Sequence, residues 1–214
     1  MIQQLAPSVQ ILIMKVNEIF YSLAGEGVRT GQATIFIRLA GCNLHCWFCD
    51  TSYDNYDEMT EEEIASEVNR HPAEWVTLTG GEPTLQDCDK LIQLLKPGHK
   101  ISIETNGTRY VPWLEKLDLV TVSPKDLFHP KAHVDERIFS LPVVEAKFVI
   151  TRPEDLGPTL KFDKNCPDKS GFGNMLFLQP MNNDPHITKL CVEAIKTNPQ
   201  WRLSLQMHKL IDIL

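Results

Sequence analysis

Long hydrophobic runs are missing: no apolar stretch in the 214 residues approaches the roughly 18 that a membrane-spanning helix requires. The early stretch "SVQILIMK" is apolar but short. It has no basic region before it and no evident cleavage site after it, so residues 1–16 are expected to be a strand lead-in or start-site extension, not a signal peptide. A basic excess is missing as well. With 21 basic and 28 acidic side chains the formal charge is −7, which excludes a broad cationic surface for nucleic acid. A small basic pocket stays compatible with that balance. Repeats, low-complexity tracts and linkers are absent, so the expectation is one domain over 1–214 with a sizeable core. Cysteine is not scarce, but the spread of a disulfide framework is. Three of the six crowd into positions 42–49, while Cys88, Cys166 and Cys191 stand far apart as ordinary small residues. That distribution implies a reducing, cytoplasmic setting rather than a secreted one.

What is present is an alternation of apolar strands with helical stretches, the pattern of an α/β fold built on a mainly parallel sheet. "ATIFIRLAG" (33–41) reads as the first strand and runs straight into a cysteine loop. "MTEEEIASEVNRH" follows as a helix, with Thr60 as N-cap and Glu63 completing a capping box. "EWVTLTGGEP", "KISIETNG", "DLVTVSPK", "VVEAKFVI" and "MLFLQPMN" read as further strands. "LQDCDKLIQLLKPG" and "PHITKLCVEAIKTNP" read as helices, "VPWLEKL" as a short one, and "WRLSLQMHKLI" as a closing strand. Polar or glycine-rich signals recur at the strand ends, which share one face in a barrel-like sheet and hold its active site. A complete eight-unit barrel needs roughly 250 residues. The expectation is therefore an incomplete TIM-like barrel of about six mostly parallel strands, open on one side.

"GCNLHCWFCDT" carries Cys42, Cys46 and Cys49 in the spacing C-x3-C-x2-C, with Gly41 permitting a sharp exit from the strand. Three thiolates can hold three corners of a [4Fe–4S] cluster and leave the fourth iron without a protein ligand. That open corner is a Lewis-acidic binding position, by the logic that separates catalytic from structural metal sites. His45 beside Cys46 keeps a Cys3His zinc site open as the structural alternative.

"CNLHCWFC", with Phe48 before the last cysteine, resembles the C-x3-C-x-aromatic-C motif of the radical S-adenosylmethionine (radical SAM) superfamily. The longer run "EIFYSLAGEGVRTGQATIFIRLAGCNLHCWFCDT", with "TGGEP", "ETNGT", "SPK", "QPMN" and "LQMHK", is similar to the 7-carboxy-7-deazaguanine synthase family over about residues 17–210. The resemblance implies a lyase of queuosine and 7-deazapurine biosynthesis, a tRNA modification pathway. Its members convert 6-carboxy-5,6,7,8-tetrahydropterin to 7-carboxy-7-deazaguanine with loss of ammonia. One electron from the cluster cleaves SAM, and the adenosyl radical so formed takes a hydrogen from the pterin and can return it.

By the same resemblance, Cys42, Cys46 and Cys49 ligate the cluster. Gly81, the stretch Ser123-Pro124-Lys125 and the stretch Gln179-Pro180-Met181-Asn182 contact SAM. Leu23, Ala24, Gly25, Arg38 and Thr79 contact substrate, and Thr51 binds Mg²⁺. Ala24 departs from the glutamine frequent at that position, which leaves only backbone contacts there. Arg38 is a suitable bidentate partner for the substrate carboxylate. Gly80 and Gly81 let backbone approach the SAM amino group closely. Glu104 is placed either at the SAM ribose or in a turn, and His208 near the pterin. The implied partners are the small pterin and an electron donor such as flavodoxin, with no nucleic acid and no membrane, in a homodimer. Two other classes share features with this chain: a glycyl-radical activating enzyme acting on a protein, and a non-catalytic metal-binding module.

Overall fold

The structure is a computed structural model and describes residues 13–52, 55–165 and 175–213. Its strands are β1 (Ile13–Leu23), β2 (Ala33–Leu39), β3 (Asp57–Thr60), β4 (Trp75–Gly80), β5 (Lys100–Thr105), β6 (Leu119–Val122), β7 (Val144–Ile150), β8 (Leu176–Pro180) and β9 (Trp201–Leu203). Its helices are α1 (Glu61–Val68), α2 (Asp89–Leu95), α3 (Leu156–Asn165), α4 (Pro185–Thr197) and α5 (Met207–Ile211). The strands form one sheet in the order β3-β1-β2-β4-β5-β6-β7-β8-β9. From β2 to β9 every neighbouring pair is parallel, whereas β1 runs antiparallel to both β2 and β3. The order ends at β3 on one side and β9 on the other without returning on itself, so the barrel is partial, as expected from the sequence.

Alternation along each strand separates two faces. Ile35, Ile37, Val76, Leu78, Ile101, Ile103, Val120, Val122, Val144 and Ala146 are buried in one core with Ile64, Val68, Leu91, Ile92 and Cys191 of the helices. Each large aliphatic side chain buried there contributes roughly 1.5–3 kcal/mol. The intervening residues form the concave face and are polar although buried: Thr34, Thr77, Thr79, Ser102, Thr121, Glu145, Lys147 and Gln179. Stability thus comes from the helix side, and the concave side is left to carry chemistry.

The turn between β1 and β2, residues 24–32, folds into the open barrel and floors it. Gly27, at φ +66°, donates its N–H to Ser204 Oγ at 3.1 Å, and Val28 donates to Glu145 Oε2 at 2.9 Å. A Cβ on Gly27 would lie 2.4 Å from Glu145 Oε1, so only glycine fits there. Arg29 pins the floor to three successive strands. Its guanidinium donates to Thr34 Oγ1 at 3.0 Å, Thr77 Oγ1 at 2.5 Å and Ser102 Oγ at 2.9 Å. At the other end of the sheet, α1 starts on the expected capping box: Glu63 N–H donates to Thr60 Oγ1, and Thr60 N–H donates to Glu63 Oε2.

Two expectations need correction, and one helix is added. The first strand is β1, beginning at Ile13 inside the presumed lead-in, and a bulge between Val16 and Glu18 breaks the two-residue period that would have revealed it. Helix α3 lies in a stretch that the sequence analysis leaves unassigned; its Pro158 is tolerated because it falls in the first turn. The closing strand stops at Leu203, and the rest of "WRLSLQMHKLI" turns into α5 once Gln206 N–H bonds Asn183 Oδ1 at 2.8 Å. Among the described residues no helix is long and apolar enough to cross a membrane. Cys166 lies outside the described residues; Cys88 and Cys191 are buried in the core, as ordinary small residues are.

Candidate active site

A cavity of about 460 Å³ opens where the strands of the parallel run end. Its lining brings together fifteen residues singled out from the sequence: Leu23, Ala24, Gly25, Arg38, Cys42, Cys46, Cys49, Thr51, Thr79, Gly81, Ser123, Lys125, Gln179, Met181 and Asn182. Glu104 and His208 line it too. Pro124 and Pro180 do not; both are buried beside the lining residues of their own stretches.

The cysteine loop leaves β2 through Gly41, whose φ of +86° is the left-handed exit that glycine permits. Asn43 and Asn106 hold the loop against the end of β5: Asn106 Nδ2 donates to Asn43 Oδ1 at 2.9 Å, and Asn43 Nδ2 donates to Thr108 Oγ1 at 2.8 Å. Phe48 packs edge-on against Phe128 with centroids 4.6 Å apart. The three thiols are free and face the cavity. Burial pushes the thiol pKa values of Cys42 and Cys46 up, and the charge of Cys49 adds to this in both; Lys125 draws Cys46 back down. Such thiols ionise when a metal takes the place of the proton. His45 is exposed and outside the cavity lining. Among the described residues no three His, Cys, Asp or Glu groups gather around a position for a single ion. The three soft donors on one wall fit an iron–sulfur cluster held by three corners better than a Cys3His zinc site.

"TGGEP" has a physical role the sequence did not reveal. Gly80 and Gly81 carry no side chain because the end of β2 occupies that space: a Cβ at Gly80 would lie 2.2 Å from Leu39 O, and one at Gly81 would lie 1.9 Å from Gly41 O. Gly81 N–H donates to Leu39 O at 3.0 Å and Glu82 N–H to Gly41 O at 2.8 Å, so this loop is stitched to the cysteine loop. Glu82 is fully buried. It accepts from Thr84 N–H and Oγ1, from Thr105 Oγ1 at 2.7 Å and from Asn106 N–H at 2.7 Å. One carboxylate therefore joins the glycine loop to the loop after β5.

Charges of both signs line the cavity. Burial lowers the Lys125 pKa to about 8, and its Nζ donates to Ser123 O at 2.9 Å. Arg38 donates through Nε to Glu18 at 2.6 Å and through Nη1 to Thr51 Oγ1 at 3.3 Å, which places the two sequence-predicted residues side by side. Across the cavity, Lys147 on β7 pairs with Glu26 and lies 3.8 Å from Glu104, which accepts from Thr79 Oγ1 at 2.8 Å. Glu104 is thus a strand residue of the cavity wall, not a turn or cap. Asn182, at φ +52°, and Gln206, Asp50 and Lys209 close the rim. His208 packs on Gly25, where a Cβ would lie 2.3 Å from its Nδ1. Sequence reasoning missed Glu26, Arg29, Glu82 and Lys147. A charged residue within an apolar strand, as Lys147 is in "VVEAKFVI", was the available signal.

Residues 36–130 match the radical SAM superfamily. The 7-carboxy-7-deazaguanine synthase of Bacteroides thetaiotaomicron is 42% identical over 208 residues, covering 94% of this chain and 100% of that protein. The synthase of the same name from Methanospirillum hungatei is 34% identical and covers 97% of this chain and 89% of its own length. The crystal structure of QueE from Escherichia coli aligns with a TM-score of 0.79 at 29% identity, over 92% of this chain and 95% of that one.

Proposed function

The chain belongs to the 7-carboxy-7-deazaguanine synthase family of radical SAM enzymes, and from that premise we propose how its own residues serve the reaction. It is a carbon–nitrogen lyase that converts 6-carboxy-5,6,7,8-tetrahydropterin to 7-carboxy-7-deazaguanine with loss of ammonia, a step of 7-deazapurine and queuosine biosynthesis. The observation that carries the assignment is one cavity with three free thiols on one wall and the Leu23–Gly25 loop and Arg38 on another. Mass analysis after anaerobic incubation with SAM, reductant and the carboxylated pterin tests it. No ring-contracted product from protein with a full cluster would reject it.

The cluster and SAM together supply the hydrogen abstraction; the chain's residues bind, orient and exclude water. Cys42, Cys46 and Cys49 are proposed to hold the cluster. Gly81, the stretch Ser123-Pro124-Lys125 and the stretch Gln179-Pro180-Met181-Asn182 are proposed to form the SAM site, with the Lys125 ammonium facing the SAM carboxylate. Leu23, Ala24, Gly25, Arg38 and Thr79 are proposed for the pterin. Arg38 is already oriented: Glu18 takes its Nε, which turns the Nη pair toward Thr51 and the cavity. Arg38→Ala removes a charge-assisted fork, so pterin affinity should fall roughly 10- to 100-fold while cluster content and SAM affinity hold. Lysine lacks the planar fork, so Arg38→Lys should recover only part. Calorimetric titration with pterin reads both; unchanged affinity in Arg38→Ala would place the carboxylate elsewhere.

Mg²⁺ at Thr51 is the finer part of the proposal. The protein offers one hydroxyl oxygen there, and that oxygen accepts from a guanidinium. An ion at this point would draw its other ligands from substrate and water. Chelating Mg²⁺ should therefore lower pterin binding and turnover but leave SAM binding intact, and Thr51→Ala should remove the response to added Mg²⁺. A Thr51→Ala enzyme with the wild-type Mg²⁺ response would sink this site. The proposal also takes in one domain, a homodimer, a cytoplasmic setting that keeps the thiols reduced, and an electron donor such as flavodoxin.

A further inference from the structure

The cysteine loop follows β2 and α5 follows β9, and β4 to β8 lie between those two strands in the sheet. Among the described residues no strand bridges the open side, yet the two ends of the run meet at the cavity mouth. Lys209 Nζ donates to Asp50 Oδ2 at 2.6 Å, to Asn182 Oδ1 at 2.8 Å and to Gln206 Oε1 at 3.2 Å, which occupies all three ammonium protons. We propose that Lys209 is a positioning residue: it clasps the end of the cysteine loop to the loop after β8 across the open side of the barrel, and so fixes the separation of the cluster wall from the SAM wall. This inference rests on the cluster, SAM and pterin sites proposed above.

Both ends of the clasp reach the site. Asp50 lies between Cys49 and Thr51, so a shift of its backbone moves a cluster ligand and the hydroxyl partner of Arg38 together. On the other side, Asn182 and Asn183 stand in succession at φ +52° and +55°. Two left-handed residues that are not glycine persist only where their neighbours hold them. Gln206 and Lys209 supply that hold. Asn182 N–H donates to Gln206 Oε1 at 2.9 Å, Asn183 Nδ2 to Gln206 O at 2.8 Å, and Gln206 N–H to Asn183 Oδ1 at 2.8 Å. The clasp adds little to folding, because the Lys209 and Asp50 side chains are 30% and 54% exposed and water screens such a pair. Its value is geometric, since a misplacement of about 1 Å at the reacting atoms can cost on the order of 100-fold in rate. The start of α5 is tied separately, by Met207 N–H on Gly25 O at 2.9 Å, so losing the clasp frees the rim and leaves the helix in place.

The test is Lys209→Met, which keeps the stem and removes the ammonium. In enzyme with a full cluster, kcat should fall about tenfold and SAM consumed per product should rise about tenfold, while KM for the pterin stays within about threefold, because orientation is lost and not binding. Lys209→Arg keeps a cation within reach and should recover part of both changes. In protein with its cluster and no pterin, hydrogen exchange at the Asn182 amide should quicken about tenfold in Lys209→Met, with the amides of β4 and β5 unchanged. A purely structural lysine would lower the unfolding midpoint and leave SAM consumed per product as in wild type; that result overturns the inference. Should Lys209→Met fail to fold, Asp50→Asn decides: it keeps an acceptor but removes the charge, and a wild-type ratio of SAM to product overturns the inference. The exchange arm needs no pterin, so wild-type exchange in Lys209→Met overturns the clasp by itself, whereas wild-type enzyme that cleaves SAM and forms no ring-contracted product overturns the substrate assignment instead.

Discussion

Replacing Cys42, Cys46 or Cys49 singly by alanine should abolish SAM cleavage, whereas Cys88→Ala, Cys166→Ala and Cys191→Ala should leave it largely intact. The asymmetry follows from where the sulfurs sit. Cys42, Cys46 and Cys49 line the cavity on a loop stitched to its neighbours by Asn43 and Asn106, and a three-corner site has no spare ligand. Cys88 and Cys191 are fully buried in the core, and burial pushes the Cys191 thiol up to about 11. They act as small apolar groups, and alanine there removes packing alone. Iron and sulfide content of anaerobically prepared variants, with release of 5′-deoxyadenosine under reductant, measures the difference. A trio variant that keeps wild-type cleavage, or active protein with stoichiometric zinc and no iron, would refute the cluster assignment.

What the sequence disclosed and what it hid differ by physical cause. The parallel strands were legible because Ile, Val and Leu alternate or run together in short segments bounded by glycine and polar signals. The site loops were legible for the same reason, since each follows a strand on the same side of the sheet. β1 was hidden by its bulge, and α5 by an apolar pattern too short to separate strand from helix. Glu26, Arg29 and Lys147 were hidden differently. Their partners lie 121 residues apart for Glu26 and Lys147, and 48 and 73 apart for Arg29 with Thr77 and Ser102, so no local spacing carries them. The reason for Gly80 and Gly81 was hidden likewise, because the backbone that fills their side-chain space belongs to another strand. A pattern read along the chain finds faces and turns; it does not find which polar groups meet across the inside of a barrel.

Glu82→Ala should be the most destabilising single change near the site. The carboxylate is fully buried and satisfies four donors: two backbone N–H groups, of Thr84 and Asn106, and the hydroxyls of Thr84 and Thr105. The hydroxyls can rotate toward other acceptors, but the two N–H groups cannot. Each buried donor left without a partner costs about 1–3 kcal/mol, and bonds to a charged acceptor stand at the upper end. A loss of about 3–5 kcal/mol follows, a large part of the stability of a chain this size. Glu82→Gln keeps the shape but turns an amide N–H₂ toward donors, so it should lie between wild type and alanine. Thr105→Val, which removes one hydroxyl donor and strands the single N–H of Gly107 that this hydroxyl accepts at 3.0 Å, should cost less, about 1–3 kcal/mol. The damage should also reach the site, since the same residue's N–H bonds Gly41 O at the start of the cysteine loop, and Asn106 holds Asn43 within it. Urea unfolding of the metal-free chain gives the stability order. SAM affinity, measured on whatever fraction remains folded with cluster, should fall in the same order. Equal unfolding midpoints for wild type and Glu82→Ala would show that the loops at the ends of β4 and β5 are held by backbone pairing alone.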